Sequence, residues 1–254
     1  MKLISVVAFM VIVQFLCAQE GDERATTYHI NGSVSITNNG FSFIPSFSLG
    51  KPALIAYPSI GGERFSLDPQ IRYDLEGFKP WSFVLVWRYK AIQTERFHLT
   101  LGTHLPALLF SEQTIVVEGS SKEYFINSRY ITPELIPRYS LSKKISLGMH
   151  IMSGFGLKKE DQARRLQFIS LQASFNQLRL IGKTYVSWNP QIYYLNLDGT
   201  GGFYIAQSIA VGHQKFPIEV ATMMNKVLRT DLSTKNFDWN ISLIYTFRNQ
   251  LVKY

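Results

Sequence analysis

Residues 236–247 constrain the fold more than any other stretch of this chain. Phe237, Trp239, Ile241, Leu243, Tyr245 and Phe247 alternate strictly with Asn236, Asp238, Asn240, Ser242, Ile244 and Thr246. Successive side chains of a β-strand point to opposite faces, so one face is apolar with aromatics near both ends and the other is mainly polar. The run from Phe237 to Phe247 spans about 33 Å of strand. Tilted by about 40°, it covers about 25 Å, the height of a lipid hydrocarbon band flanked by aromatic girdles. Segment 79–90 repeats the pattern, with Trp81, Phe83, Leu85, Trp87 and Tyr89 opposite Ser82, Val84, Val86, Arg88 and Lys90.

Beyond the first residues, no segment approaches the run of about 20 apolar residues that a membrane-crossing helix needs. A chain with lipid-facing strands must then close into a barrel, because hydrocarbon tolerates no unpaired backbone. Weaker alternating copies occupy 65–74, 97–107 and 145–156, with Leu105 and Ala107 assigned to the outer face. Further strands are expected near 27–38, 41–57, 124–141, 166–180, 184–197, 202–213 and 217–229, the last also compatible with a helical period. The fold class is therefore all-β: a transmembrane antiparallel up-and-down β-barrel of about twelve strands, occupying residues 19–254.

An even strand number places both chain ends on one side, with short turns there and longer loops opposite. The expected long loops are 110–123, 158–165, 197–201 and 229–235. The first outward turn, Asn38-Asn39-Gly40, reads as a tight hairpin, and the inward turn at 59–63 is longer than its peers. The main physical objection is proline. Pro45, Pro52, Pro69, Pro106, Pro133, Pro137 and Pro190 fall inside strand patterns, and each removes a ladder donor.

The N-terminus points to export. Lys2 supplies a positive start, Leu3 to Leu16 is mostly apolar, and Cys17-Ala18-Gln19 offers a cleavage point after Ala18, so residues 1–18 read as a signal peptide. Acylation at Cys17 is disfavoured by the bulky Leu16 before it. The chain has one cysteine, Cys17, so cleavage leaves no thiol and no disulfide framework. The net charge of +8 is compatible with anionic lipid or solute. No Lys/Arg cluster with interleaved aromatics suggests nucleic acid.

Residues 239–247 resemble the closing strand of outer-membrane barrels, which the barrel assembly machinery reads by its alternating apolar residues and final aromatic, here Phe247. The stretches Phe43-Ile44-Pro45-Ser46-Phe47, Lys79-Pro80-Trp81-Ser82-Phe83 and Asp198-Gly199 with Gly202-Phe203-Tyr204 resemble an uncharacterised outer-membrane β-barrel family of Bacteroidetes-type Gram-negative bacteria. That resemblance covers nearly all of the mature chain and implies the outer membrane as location. It implies no activity and no catalytic residue. The chain departs from the usual pattern in continuing from Arg248 to Tyr254.

The alternation assigns Asp68, Arg72, Asp74, Arg88, Lys90, Glu134, Arg138 and Asp238 to the lumen. They either line a mildly basic path for small polar or anionic solutes or pair with one another and fill it. His98, His104 and His150 share that side, but His98 and His104 lie six residues apart, too far along one strand to share a metal. A hydrogen-bonded lumenal role is expected for them, with no metal and no cofactor. A lipid-modifying enzyme would need a serine and histidine meeting at the outer face or rim. Ser153 and Ser170 are the candidates, but no Gly-x-Ser-x-Gly motif is present. The expected function is a passive channel or small-solute pore. The rivals are a non-conducting interaction barrel and, more remotely, the enzyme.

Overall fold

The computed structural model describes residues 26–117, 120–158 and 163–253. The expected signal peptide, residues 1–18, lies outside them. There are twelve strands in chain order: β1 (Thr26–Thr37), β2 (Ala53–Gly61), β3 (Phe65–Asp74), β4 (Lys79–Gln93), β5 (Phe97–Val117), β6 (Ser120–Ser140), β7 (Ile145–Gly156), β8 (Arg165–Arg179), β9 (Thr184–Leu197), β10 (Thr200–His213), β11 (Phe216–Thr230) and β12 (Phe237–Lys253). Each pairs antiparallel with its sequence neighbours, and β1 pairs with β12 from Thr26↔Lys253 to Thr37↔Ser242. The sheet is a closed up-and-down barrel. Segment 217–228, ambiguous in sequence, is strand.

The alternation sorts as expected. On β12, Trp239, Ile241 and Leu243 are exposed on the outer face at 46%, 52% and 54%, while Asp238, Asn240 and Ser242 are buried inside. Five short turns (62–64, 94–96, 141–144, 180–183 and 214–215) share one end with the strand termini Thr26 and Lys253, here the terminal end. The other end, the loop end, carries the longer connections 38–52 and 231–236, but the expected long loop at 197–201 is only the two-residue turn 198–199.

Several local expectations are overturned. Segment 41–57 is not one strand, because β2 starts only at Ala53. The supposed tight turn at 38–40 opens a loop, 38–52, that folds into the barrel. The expected loop 110–123 is mostly ladder, since β5 and β6 stay paired from Phe97↔Tyr139 to Val117↔Ser120. The closing strand does not stop at Phe247 but runs to Lys253. Trp81 leaves the outer face: the register jumps from Arg72↔Ser82 to Tyr73↔Pro80, so Trp81 is the unpaired bulge residue and lines the lumen. A second irregularity, between His104 and Ala107, likewise turns Ala107 inward, where it is 5% exposed. One extra residue in a bulge reverses the facing of the residues beyond it.

Pro69, Pro133, Pro137 and Pro190 obey one rule. A strand residue directs its N–H and C=O to the same neighbour, so a proline weakens only one of its two ladders. Pro133 and Pro137 keep register with β5 as Thr103↔Pro133 and Leu99↔Pro137. On the β7 side the partners skip both positions, passing from Ile131↔Phe155 to Glu134↔Met152 and from Leu135↔Ile151 to Arg138↔Gly148. Pro69 pairs with Leu85 on β4 and sits in a gap toward β2, between Ala56↔Ile71 and Ile60↔Leu67. Pro190 pairs with Gln207 on β10 and falls in a gap toward β8, between Gln172↔Gln191 and Phe175↔Trp188. Pro106 lies within the β5 irregularity, and Pro45 and Pro52 are in the loop.

Leu243 sits midway between Trp239 and Phe247 on the outer face, so Leu243→Arg should cost about 2–4 kcal/mol. Ser208→Arg, which faces the lumen, should cost less than about 1 kcal/mol. Urea unfolding in phospholipid vesicles measures both, and equal costs would contradict the facing.

Candidate functional site: the plugged lumen

Segment 38–52 narrows on itself and enters the barrel from the loop end. The Leu49 amide donates to the Gly40 carbonyl at 2.8 Å, the Ser42 amide to the Phe47 carbonyl at 2.9 Å, and the Phe47 amide to the Ile44 carbonyl at 2.9 Å. Gly50 holds φ at +75°, a left-handed value that glycine adopts without strain. The feet are fixed to β12. Asn39 Nδ2 donates to Asp238 Oδ1 at 2.8 Å, its Oδ1 accepts the Gly50 amide at 2.9 Å, and Ser48 Oγ donates to Asp238 Oδ2. The tip is held by burial. Ile44 is fully buried against Met152, Phe168, Tyr193, Leu195 and Tyr204, and such burial is worth about 1.5–3 kcal/mol. Ser46 Oγ meets the Tyr193 hydroxyl at 2.7 Å, and that hydroxyl donates to Asn225 Oδ1 at 2.7 Å.

Beneath the tip lies a layer of charge. Arg88, Gly102 and Glu134 are direct register neighbours across β4, β5 and β6. A Cβ on Gly102 would sit 2.5 Å from Glu134 Oε1, so the missing side chain is what lets Arg88 Nε reach that oxygen at 2.7 Å. Arg88 Nη1 also donates to Asp68 Oδ2 at 3.0 Å. Glu134 Oε2 receives His104 Nε2 at 3.1 Å and His150 Nε2 at 2.8 Å. Phe43 of the plug closes the layer edge-on over His104, with ring centroids 5.1 Å apart, and Phe168 does the same for His150 at 5.8 Å.

This layer divides the lumen into unlike halves. Toward the loop end is a cavity of about 520 Å³, walled chiefly by apolar side chains of the plug and of β4–β9. Toward the terminal end the inward positions are polar: Ser33, Ser35, Gln172, Asn189, Gln191 and Ser208 are all half-buried. Ser170 Oγ donates to Gln191 Oε1 at 2.9 Å, and Asn189 Nδ2 to Ser208 Oγ at 3.4 Å.

Of the eight lumen residues expected from sequence, the fold brings Asp68, Arg88 and Glu134 together and spreads the rest. Asp74 stands at the loop end with Lys51 Nζ at 3.4 Å. Asp238 anchors the plug, with Lys235 Nζ at 3.6 Å. Arg72 is buried at 1% exposure, donating to Ser82, Tyr57 and Gln70, with its guanidinium over the Tyr57 and Trp81 rings. Lys90 donates to the Glu63 carbonyl at 3.1 Å. Arg138 is exposed at the terminal end. Among the described residues all four carboxylates lie within 4 Å of a cation, whereas Arg72, Lys90 and Arg138 have no carboxylate that close. His104 and His150 are hydrogen-bonded lumenal histidines, as expected. Ser170 faces inward and is buried, so it does not reach the rim.

The sequence reading missed the plug, with its anchoring residues Asn39 and Ser46, and the receptors Tyr193 and Asn225 on the barrel wall. The available signal was 41–47, whose apolar residues Phe41, Phe43, Ile44 and Phe47 break the two-residue period around Pro45.

No protein-family model matches the chain, and no curated protein matches it. Solved structures do. The KdgM porin aligns with a TM-score of 0.51 at 11% identity, over 86% of this chain and 99% of that one. The KdgM porin in complex with disordered oligogalacturonate aligns at 0.52 and 11%, over the same 86% and 99%. A loop L8 deletion mutant of OmpT, an outer membrane protein of Vibrio cholerae, aligns at 0.43 and 9%, over 88% of this chain and 100% of that one. Identities this low establish likeness of fold: a closed β-barrel of the outer-membrane type.

Proposed function

We propose that the protein is an outer-membrane pore for small polar or anionic solutes, narrowed by the plug 38–52 and by the Arg88–Glu134 layer. The observation that carries this reading is uncompensated charge. Asp68 and Glu134 share Arg88, and Asp74 and Asp238 are met by Lys51 and Lys235, while Arg72, Lys90 and Arg138 have no carboxylate within 4 Å among the described residues. Counting Arg88 against both of its carboxylates, the cations exceed the carboxylates by two, an excess that suits a path for anions better than a lumen filled only for stability. The polar terminal half supports the same reading. The apolar outer band fits outer-membrane lipid as surroundings, and export through a cleaved leader at 1–18 completes the scheme. The closing strand, running to Lys253, is the element the barrel assembly machinery would recognise.

A second reading, a non-conducting interaction barrel, draws on a different observation. β5 and β6 are each 21 residues long. At about 3.3 Å per residue and a tilt of about 40°, they rise roughly 50 Å, about twice the height of the hydrocarbon band. This hairpin would stand well clear of the membrane as a contact surface.

Planar-bilayer recording separates the two. The full chain should give small unitary currents, and replacing 41–48 by two glycines should raise them several-fold. Silence from both proteins would exclude the pore. Reversal potentials under a salt gradient should show a modest anion preference. Lys90→Glu with Arg138→Glu should shift it toward cations, and no shift would remove these residues from the path.

A further inference from the structure

We infer that the barrel wall is parted between β2 and β3 at Pro58 and Pro69, and that the opening is a binding site for a small uncharged alcohol drawn from the bilayer. This goes beyond the pore reading and does not depend on conduction.

Two hydrogen bonds set the phase of the β2–β3 ladder. The Gly62 amide donates to the Phe65 carbonyl and the Leu75 amide to the Pro52 carbonyl, both at 2.9 Å. In an antiparallel ladder every second pair exchanges hydrogen bonds, so Ala56↔Ile71 and Ile60↔Leu67 are bonded positions as well. The bonded position between them is filled by Pro58 facing Pro69. Neither has an N–H. Both bonds of that pair are therefore missing at once, and each carbonyl faces a nitrogen without a hydrogen. Pro133, Pro137 and Pro190 meet no second proline across their gaps. On its other side Pro58 is level with Gly32 of β1, where a Cβ would sit 2.7 Å from Pro58 Cα. At this level β2 is seated against β1 and parted from β3.

A cavity of about 290 Å³ fills the gap. Its lining joins Pro58 and Pro69 to Ser59, Asp68, Gln70 and Arg88. Neighbouring residues of a strand face opposite sides: the two prolines belong to the outer face and the other four to the lumen. A cavity lined by both sets crosses the sheet. On β3, Pro69 stands midway between Phe65 and Tyr73, both exposed on the outer face, so the outer mouth opens within the hydrocarbon band.

Unpaired carbonyls at that depth are costly, and they are tolerated where they line a cavity. Ser59 Oγ and Arg88 Nη1 both donate to Asp68 instead. The gap calls for a donor that is soluble in hydrocarbon. An anion would meet two carbonyl oxygens and the Asp68 carboxylate, a cation would meet Arg88, and either charge is expensive inside the bilayer. A hydroxyl on an apolar body donates to a carbonyl and leaves the body against the proline rings. The cavity lies at the lower edge of the roughly 300–1,000 Å³ typical of ligand pockets. It suits a small alcohol and excludes a phospholipid.

The test uses the full chain folded in phospholipid vesicles and octanol carrying a diazirine, with the sites of photolabelling read by mass spectrometry. Labelling should centre on 57–59 and 68–70, saturate, and yield to excess plain octanol. Pro58→Ala with Pro69→Ala supplies both missing N–H groups. Labelling there should then fall about tenfold, and the two introduced amides should exchange slowly with deuterium. Ser59→Phe fills the space from the lumen side without touching the ladder and should also lower labelling, whereas Pro190→Ala should leave it unchanged. Folding of each variant is checked by heat-dependent gel mobility. The diazirine forms of octanoate and octylammonium should label these residues at least about fivefold less. Diffuse or unsaturable labelling, as expected of a gap that takes only water, would overturn the site, as would labelling that both gap variants leave unchanged. Rapid exchange of the introduced amides would overturn the part given to the prolines. Equal labelling by either charged probe would overturn the assigned ligand. Focused labelling of a protein that carries no ionic current would remove the pore reading and leave this one standing.

Discussion

Closure of β1 against β12 is the condition on which everything else rests. A twelve-stranded sheet with an apolar outer face cannot present an open edge to hydrocarbon, where each unpaired N–H or C=O costs several kcal/mol. The register from Thr26↔Lys253 to Thr37↔Ser242 leaves none. It also explains why the chain continues past Phe247. Residues 248–253 are the partners of 26–31, without which the start of β1 would lose its neighbour. The same constraint governs the prolines. Pro69, Pro133, Pro137 and Pro190 each loosen the ladder on one side while the other runs unbroken, whereas at Pro106 the bulge in β5 takes the position out of both ladders.

Closure also creates an interior that must be filled or wetted, and this barrel does both. The loop-end half is filled by part of the chain's own loop, because Ile44 and its neighbours find an apolar surface of Met152, Phe168, Tyr193 and Leu195 that water would otherwise cover. The terminal half keeps polar groups facing an aqueous space. The boundary between them is electrostatic. Arg88 is too costly to bury alone. It is placed where Asp68 and Glu134 both reach it, and two histidines take up the remaining oxygen of Glu134. Gly102 is the residue that makes the layer possible, since any side chain between Arg88 and Glu134 would occupy the space their bond needs.

The two-residue period encodes strand number, facing and chain-end placement, and these were legible in the sequence. β3, β7 and β9 lie at the expected residues. Bulges defeat the period because one unpaired residue reverses the facing beyond it. Trp81 and Ala107 were misassigned for that reason, not through their own chemistry. The facing of Asp68, Arg88 and Glu134 follows from the strand period, but the pairing among them does not. Arg88, Gly102 and Glu134 are brought level by the register between strands, which no single strand's pattern contains. The plug escaped notice because Phe41–Phe47 is apolar enough to pass for strand, and only tertiary burial distinguishes an apolar loop folded inward from an apolar strand facing lipid.

The plug is held by two different kinds of force, and the difference matters for how it moves. Its feet rest on directional bonds to the Asp238 carboxylate, each worth about 1.5–3 kcal/mol and lost abruptly with distance. Its tip rests mainly on burial of Ile44, which is non-directional and falls away gradually. Phe43, Ile44 and Phe47 are also walls of the loop-end cavity, so the seating of the tip and the shape of that cavity are set by the same side chains, and neither can change without the other.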